Sequence, residues 1–157
     1  MDNHKKFLQE AINLSINNVT SGNGGPFGVV VVKNNEIIAR GVNQVTAHND
    51  PTAHAEVVAI RNACTVLKSF QLTDCDFYTS CEPCPMCMGA VFWSRLRAVY
   101  FGNTRQDAAK IGFDDSFIYE QLELSPEKRS IPSYHILGTN ARDGFDLWAE
   151  TTTKIEY

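Results

Sequence analysis

Two short segments about thirty residues apart constrain this chain more than any other feature of it. The first holds His54 and Glu56, and the second holds Cys84 and Cys87. The two cysteines are three positions apart, so a helix would present both thiols on one face. We expect His54 to open a helix over residues ~53–68, with a strand between the two segments that brings the two helix starts together.

These side chains are the ligands that zinc prefers, one imidazole and two thiolates. Structural zinc sites usually take all four ligands from the protein, whereas catalytic sites take three and leave one position to water. A closed site would have no use for Glu56, which is well placed to carry a proton to and from that water. The donor set therefore predicts a catalytic zinc site with its own proton carrier.

Two other interpretations of the thiols remain open. Cys81 extends the three-residue spacing of Cys84 and Cys87, so it could complete a closed Cys3His site in a structural zinc module that binds a partner. We expect Cys81 to point away instead, because it ends the strand before the helix begins. A thiol–disulfide protein is the other alternative, and it would leave His54 and Glu56 without a role.

Composition narrows the class of protein. A length of 157 residues fits one domain, and 43% hydrophobic with 20% charged residues is typical of a soluble globular protein. A net charge of -4 without a basic stripe argues against a nucleic-acid partner and favours a small-molecule substrate. Five cysteines, an odd number, argue against a disulfide framework. Since no apolar signal region or membrane span is evident, we expect a cytoplasmic protein with no membrane partner.

Periodicity predicts alternating helices and strands. Strand-helix alternation after an opening hairpin predicts an α/β fold, with a mixed sheet covered by helices on both faces. The expected helices are residues ~4–20, ~53–68, 84–94, 107–111, 115–123 and 145–152. The expected strands are residues 28–33, 36–41, 76–79, 98–102 and 134–137.

Four segments resemble the cytidine-deaminase-like superfamily, and within it the small bacterial guanine deaminases. They are residues 24–28, 49–56, 78–87 and 112–119. The second and third carry the H-x-E…P-C-x-x-C pattern of the zinc deaminases. The first three are similar, with variation, to segments of tRNA adenosine deaminases, and the fourth is more particular to guanine and guanosine deaminases.

The resemblance covers most of the chain and implies one zinc-dependent deaminase domain over residues 1–157. It implies a three-layer α/β/α sandwich with a central mixed five-stranded sheet. It also implies a homodimer, in which the C-terminal segment is a lid over the site or an arm exchanged with the partner. The stretch from Leu122 to Ala149 departs most from the family pattern.

The resemblance also assigns roles to single residues. His54, Cys84 and Cys87 would hold one Zn²⁺ per chain. Glu56 would be the proton shuttle, and Asp115 would be a second acid–base group unless it only caps a loop. Related deaminases often have an apolar residue at the position of Cys81, which agrees with its lying outside the metal site.

Five further residues would contact the substrate. Asn43 would hydrogen-bond the base, or else cap a turn, and Phe27 would pack on the ring, or else belong only to the core. Ala55, Trp93 and Tyr157 would complete the pocket. The expected reaction is hydrolysis of the C2 amino group of guanine, which gives xanthine and ammonia. Guanosine, cytidine and the wobble adenosine of tRNA are the alternative substrates.

Overall fold

The computed structural model describes residues 3–157, and their contacts divide the chain into two compact units. The first unit ends at Asp115, and the second is Ser116–Tyr157. In the first unit the elements are, in order, helix α1 (Asn3–Thr20), strands β1 (Gly28–Lys33) and β2 (Glu36–Val42), helices α2 (Val45–His48) and α3 (Ala55–Leu67), strand β3 (Cys75–Cys81), helix α4 (Pro85–Trp93), strand β4 (Ala98–Asn103) and helix α5 (Arg105–Lys110).

One mixed sheet lies in the first unit, with strand order β2-β1-β3-β4. Strand β1 runs antiparallel to both of its neighbours, and β3 and β4 are parallel. Asn34 and Asn35 join β1 to β2 with positive φ angles of 51° and 65°. That backbone fits a type I′ turn, which Asn tolerates better than most residues, so the predicted hairpin is confirmed.

The second unit contains helix α6 (Ser116–Glu123), a 3₁₀ turn (Pro126–Lys128) and helix α7 (Asp143–Glu150). The predicted strand at residues 134–137 is wrong, because that segment forms no β-ladder. Its β-branched and aromatic side chains favour a strand, but a strand also needs a neighbour for its backbone hydrogen bonds, and this unit has none. The described sheet therefore has four strands rather than the five expected.

Helices cover both faces of the sheet, which confirms the three-layer arrangement. Helix α3 packs over a core of mostly small and branched side chains, namely Val29, Val31, Ala39, Ala55, Ala59, Ala63, Leu72, Cys75 and Phe77. Helix α1 packs on the opposite face, against a core made of Phe7, Val30, Val32 and Tyr78. The strand alternation thus divides β1 and β3 between two separate cores.

Close contact between α3 and β2 fixes where α3 begins. A side chain at Gly41 would collide with the Ala55 carbonyl and the Ala59 backbone nitrogen. Only glycine allows this approach, which holds the first turn of α3 directly against the sheet. None of the helices in residues 3–157 is both long and apolar enough to cross a membrane.

Candidate metal centre and active site

Two helix starts supply the metal-ligating side chains. His54 is the N-cap of α3 and Cys84 is the N-cap of α4, and both have extended backbone conformations. Neither side chain caps its own helix, so the imidazole and the thiol are directed at each other instead. Pro85 follows Cys84 in the first turn of α4, where its missing N–H costs no helical hydrogen bond.

Three donor atoms converge between these helix starts. His54 Nδ1 lies 3.6 Å from Cys84 Sγ and 3.5 Å from Cys87 Sγ, and the two sulfurs are 3.5 Å apart. A tetrahedral ion with ordinary zinc–nitrogen and zinc–sulfur bonds would separate its ligands by about 3.5 to 3.8 Å. The chemistry and the spacing of this donor set therefore fit a zinc ion, as predicted from the sequence.

The protonation states of the three donor atoms are coupled through their hydrogen bonds. A hydrogen bond from Cys87, with a further one from His54, lowers the pKa of Cys84 to about 4. The hydrogen bond with Cys84, together with burial, raises the pKa of Cys87. The hydrogen bond to Cys84 raises the pKa of His54. Because the raised pKa values of Cys87 and His54 favour their protonated forms, a cation would have to displace those protons to bind all three donor atoms.

Glu56 lies in the first turn of α3, beside the cluster, and is only 5% exposed. Burial raises the pKa of its carboxyl group, and the Cys87 thiol interacts with it. A buried carboxylate with a raised pKa can both take up and release a proton near neutral pH. The arrangement gives Glu56 the chemical properties that a proton shuttle needs.

Cys81 does not belong to the donor set in the described residues, which consists of His54, Cys84 and Cys87. Its thiol donates instead to the Thr104 carbonyl, 3.7 Å away, and burial raises its pKa to about 11. A neutral thiol with its own acceptor is a poor ligand. This geometry disfavours the closed Cys3His site of a structural zinc module.

Asp115 follows the turn at Gly112 and is partly buried. Burial raises the pKa of its carboxyl group, and the negative charge of Cys84 raises it further. Asp115 is thus within electrostatic range of the Cys84 thiol. Its role as a second acid–base group remains a prediction.

An aromatic pair stands between the glycine-rich loop and the Asp115 segment. The rings of Phe27 and Phe113 are 4.9 Å apart and nearly perpendicular, at 88°. Phe27 also packs against the core under α3, so its role in the core is observed. Its packing on a substrate ring remains a prediction. Sequence reasoning did not single out Phe113, although it stands two residues before Asp115 in a segment that carries the family resemblance.

Asn43 follows β2 and is 7% exposed. Its Oδ1 accepts hydrogen bonds from the Gly25 and Val45 N–H groups, at 3.4 Å and 3.3 Å. Because both partners are donors, the atom that faces them is the oxygen, and the NH2 group lies on the other side of the amide. Asn43 therefore caps the turn and still has donors to offer.

Ala55 is fully buried at the first position of α3, where its N–H has no acceptor within the helix.

Of the two remaining predicted residues, Trp93 lies away from the cluster and Tyr157 belongs to the second unit. Trp93 is 66% exposed at the far end of α4, about 13 Å along the helix from Cys84. Tyr157 lies in the second unit and is 69% exposed. Their contacts with a substrate remain predictions.

Comparison with known families agrees with this geometry. A family model for the cytidine and deoxycytidylate deaminase zinc-binding region matches residues 1–103. The chain belongs to this deaminase family. The matched region contains His54, Cys84, Cys87 and Glu56, so the possible zinc site lies within the zinc-binding region of the family.

Two relatives illustrate the range of similarity. Guanine deaminase from Bacillus subtilis (strain 168) is 52% identical over 155 residues, which is 99% of each chain. The X-ray structure of guanine deaminase from Bacillus subtilis superimposes with a TM-score of 0.96 over 98% of each chain. A tRNA-specific adenosine deaminase from Buchnera aphidicola subsp. Baizongia pistaciae is 42% identical over 101 residues, 64% of this chain and 62% of that protein.

Proposed function

We propose that the protein hydrolyses the amino group at C2 of guanine and releases xanthine and ammonia. One observation carries the proposal: the metal-ligating cluster with Glu56 beside it lies in a chain that is similar to a guanine deaminase over 99% of its length. The cluster supports zinc-dependent deamination, and the extent of the similarity supports guanine as the base.

The extent of the similarity favours guanine over the wobble adenosine of tRNA. The similarity to the tRNA-specific adenosine deaminase extends over 64% of this chain, whereas the similarity to guanine deaminase includes nearly all of it. A net charge of -4 also gives no electrostatic support for RNA binding. Both observations favour a small purine base over an anticodon loop.

A bound zinc ion would supply a Lewis acid, which makes water a nucleophile at neutral pH. His54, Cys84 and Cys87 would hold the ion. Glu56 accepts a proton from the attacking water and returns it to the ring nitrogen next to C2. Its burial fits this cycle, because a raised pKa brings the two protonation states closer in energy.

The leaving amine needs a second proton, and we assign its delivery to Asp115, which regains a proton from the C2 hydroxyl as that group becomes the carbonyl of xanthine. Its raised pKa makes a protonated carboxyl group available closer to neutral pH than for an ordinary aspartate. The NH2 group of Asn43 would donate a hydrogen bond to an acceptor on the base, and the Ala55 N–H would be a second donor. Phe27, with Phe113 against its edge, would pack on the purine ring.

An ammonia-release assay with the zinc-loaded protein tests the proposal. Guanine, guanosine, adenine, cytosine, cytidine and a tRNA anticodon stem are offered separately, and products are identified by chromatography. We expect xanthine from guanine as the main product. Inosine in RNA, or release from guanosine that exceeds release from guanine, would contradict it.

We also propose that the protein is a homodimer in which residues 116–157 are an arm exchanged between protomers. Within this unit no residue is buried, and its exposed apolar side chains include Ile131, Leu137, Phe145 and Leu147. Such a segment needs a further surface to cover it. Sedimentation equilibrium should give the mass of two chains, and a monomer that retains full activity would contradict the proposal.

We place the protein in the cytoplasm. The five cysteines are all free thiols, and two of them are the proposed zinc ligands. Thiols persist in a reducing compartment. Fractionation of the source cells should recover the guanine-deaminating activity with the cytoplasmic proteins.

A further inference from the structure

Near its C-terminal end, helix α1 carries a buried amide side chain, Asn18, which has no role in the proposed reaction. Asn18 is 4% exposed, although asparagine is mostly a surface residue. It completes the buried side of α1 with Phe7, Ala11 and Ser15. Helical spacing would also allow the apolar Val19, four residues after Ser15, to face the core, but Val19 is 51% exposed. At the end of α1 nearest the glycine-rich loop, the buried side chain is therefore polar rather than apolar.

The Asn18 side chain ties together two loops that carry substrate-contact residues. Its Nδ2 donates to the Gly25 carbonyl and to the Asn43 carbonyl, each at 2.9 Å. An amide nitrogen has two hydrogens, so these two bonds use its whole donor capacity. Gly25 lies two residues before Phe27, and Asn43 is the predicted ligand of the base.

The same two residues are also joined to each other. The Gly25 N–H donates to Asn43 Oδ1 over 3.4 Å, a long bond that a small movement of either backbone would break. Asn18 holds both backbones through their carbonyls and so fixes the length of this bond. The two loops also approach each other closely, since a side chain at Gly24 would collide with the Asn43 carbonyl.

From this triangle of hydrogen bonds we infer that Asn18 is a positioning residue that orients the Asn43 amide for binding the purine base. Asn18 acts through the backbones of Gly25 and Asn43 and makes no substrate contact itself. The inference rests on the proposed function, because it needs Asn43 to be a ligand of the base. It predicts a defect in substrate binding that disappears when Asn43 has no side-chain amide to orient.

The substitution Asn18→Asp tests this inference, because it keeps the shape and removes the donors. The new carboxylate would face two carbonyl oxygens and push both loops apart. We expect the KM for guanine to rise about tenfold or more, with a smaller change in kcat and one zinc retained per chain. The matched control is Asn17→Asp, which adds the same charge at an exposed neighbour on α1 and should leave both constants unchanged.

A double-mutant cycle with Asn43→Ala separates positioning from general stability. In the Asn43→Ala background, Asn18→Asp should change KM less than about twofold, because no amide remains to be misplaced. An equal effect in both backgrounds would show that Asn18 only stabilises the fold and would overturn the inference. If Asn18→Asp does not fold, Asn18→Leu and Asn18→Gln replace it in the same cycle. Leu should then raise KM more than Gln, which keeps a donor, and equal values would overturn the inference.

The activity of the wild-type protein distinguishes a failure of the proposed function from a failure of the positioning role of Asn18. A wild-type protein that releases no ammonia from guanine would overturn the proposed function and this inference with it. A fully active wild type whose Asn18 variants behave like Asn17→Asp would overturn the positioning role alone.

Discussion

The two faces of the sheet are packed with different kinds of side chain. Under α3 the core uses small residues, with alanine at positions 39, 55, 59 and 63, and Gly41 lets the helix touch the strand. On the α1 face the core combines Val30 and Val32 with the aromatic residues Phe7 and Tyr78. The rings of Tyr78 and Tyr100 stack at 4.8 Å, and the Tyr78 hydroxyl lies 2.8 Å from His4 Nδ1.

This difference bears on what single substitutions on each face should change. Small side chains bring the start of α3 close to the sheet, and His54 and Glu56 are placed by that backbone. Aromatic side chains bury more area per residue, so truncating one in the core under α1 should cost much stability. Core substitutions under α1 should therefore lower stability without changing kcat, whereas substitutions at the start of α3 should change zinc binding and activity.

Removal of a metal ligand on the α3 face should have the largest effect. Cys87→Ser should lose zinc and lower guanine deamination to background, because three protein ligands become two. Metal content and xanthine formation measure the result. Cys64→Ser on the same helix layer is the control and should keep its zinc. Full activity in Cys87→Ser would show that the cluster is not the catalytic metal site.

Glu56→Gln should lower kcat by about 100- to 10,000-fold, since it removes the proton shuttle and keeps the shape of the side chain. The zinc content should remain at one per chain, because Glu56 is not in the donor set. Glu36→Gln, which removes an exposed carboxylate from the hairpin, should leave kcat unchanged. A zinc-loaded Glu56→Gln protein with the wild-type rate would refute the role of Glu56.

Phe7→Ala on the α1 face should lower the free energy of unfolding by about 3–5 kcal/mol, because it empties a buried aromatic position. The kcat of the folded, zinc-loaded protein should not change. Urea denaturation gives the first quantity and steady-state kinetics the second. Ile16→Ala, at a 53% exposed position of the same helix, should cost at most about 0.5 kcal/mol. A large loss of kcat in Phe7→Ala would contradict the division between the faces.

Gly41→Ala should have a smaller effect on stability, about 1–3 kcal/mol, since α3 must shift to admit one methyl group. Because that shift moves His54, zinc affinity should fall as well, which a competition titration with a chelator measures. Gly89→Ala on α4 is the control, since a methyl group there meets no other atom within 4 Å. Unchanged zinc affinity in Gly41→Ala would mean that α3 can move without disturbing the site.

Local patterns were sufficient to predict the metal centre because its ligands lie in two short segments with characteristic spacing. They were also sufficient for α1, α3 and the hairpin, each of which has a strong period or a turn that needs positive φ angles. Helix α2, with only four residues, gives too short a pattern to detect. The strand expected at residues 134–137 failed because a composition that favours strands does not supply a pairing partner.

The sequence by itself determined the donor atoms, the acid beside them and the alternation of helices and strands, since these follow from residue type and spacing. Only the tertiary structure decided that Cys81 bonds to the Thr104 carbonyl, that Phe113 meets Phe27 and that Asn18 joins two loops. Each of these contacts links residues from different elements. Their distances depend on how closely the helices and loops pack on the sheet, and no local pattern encodes that packing.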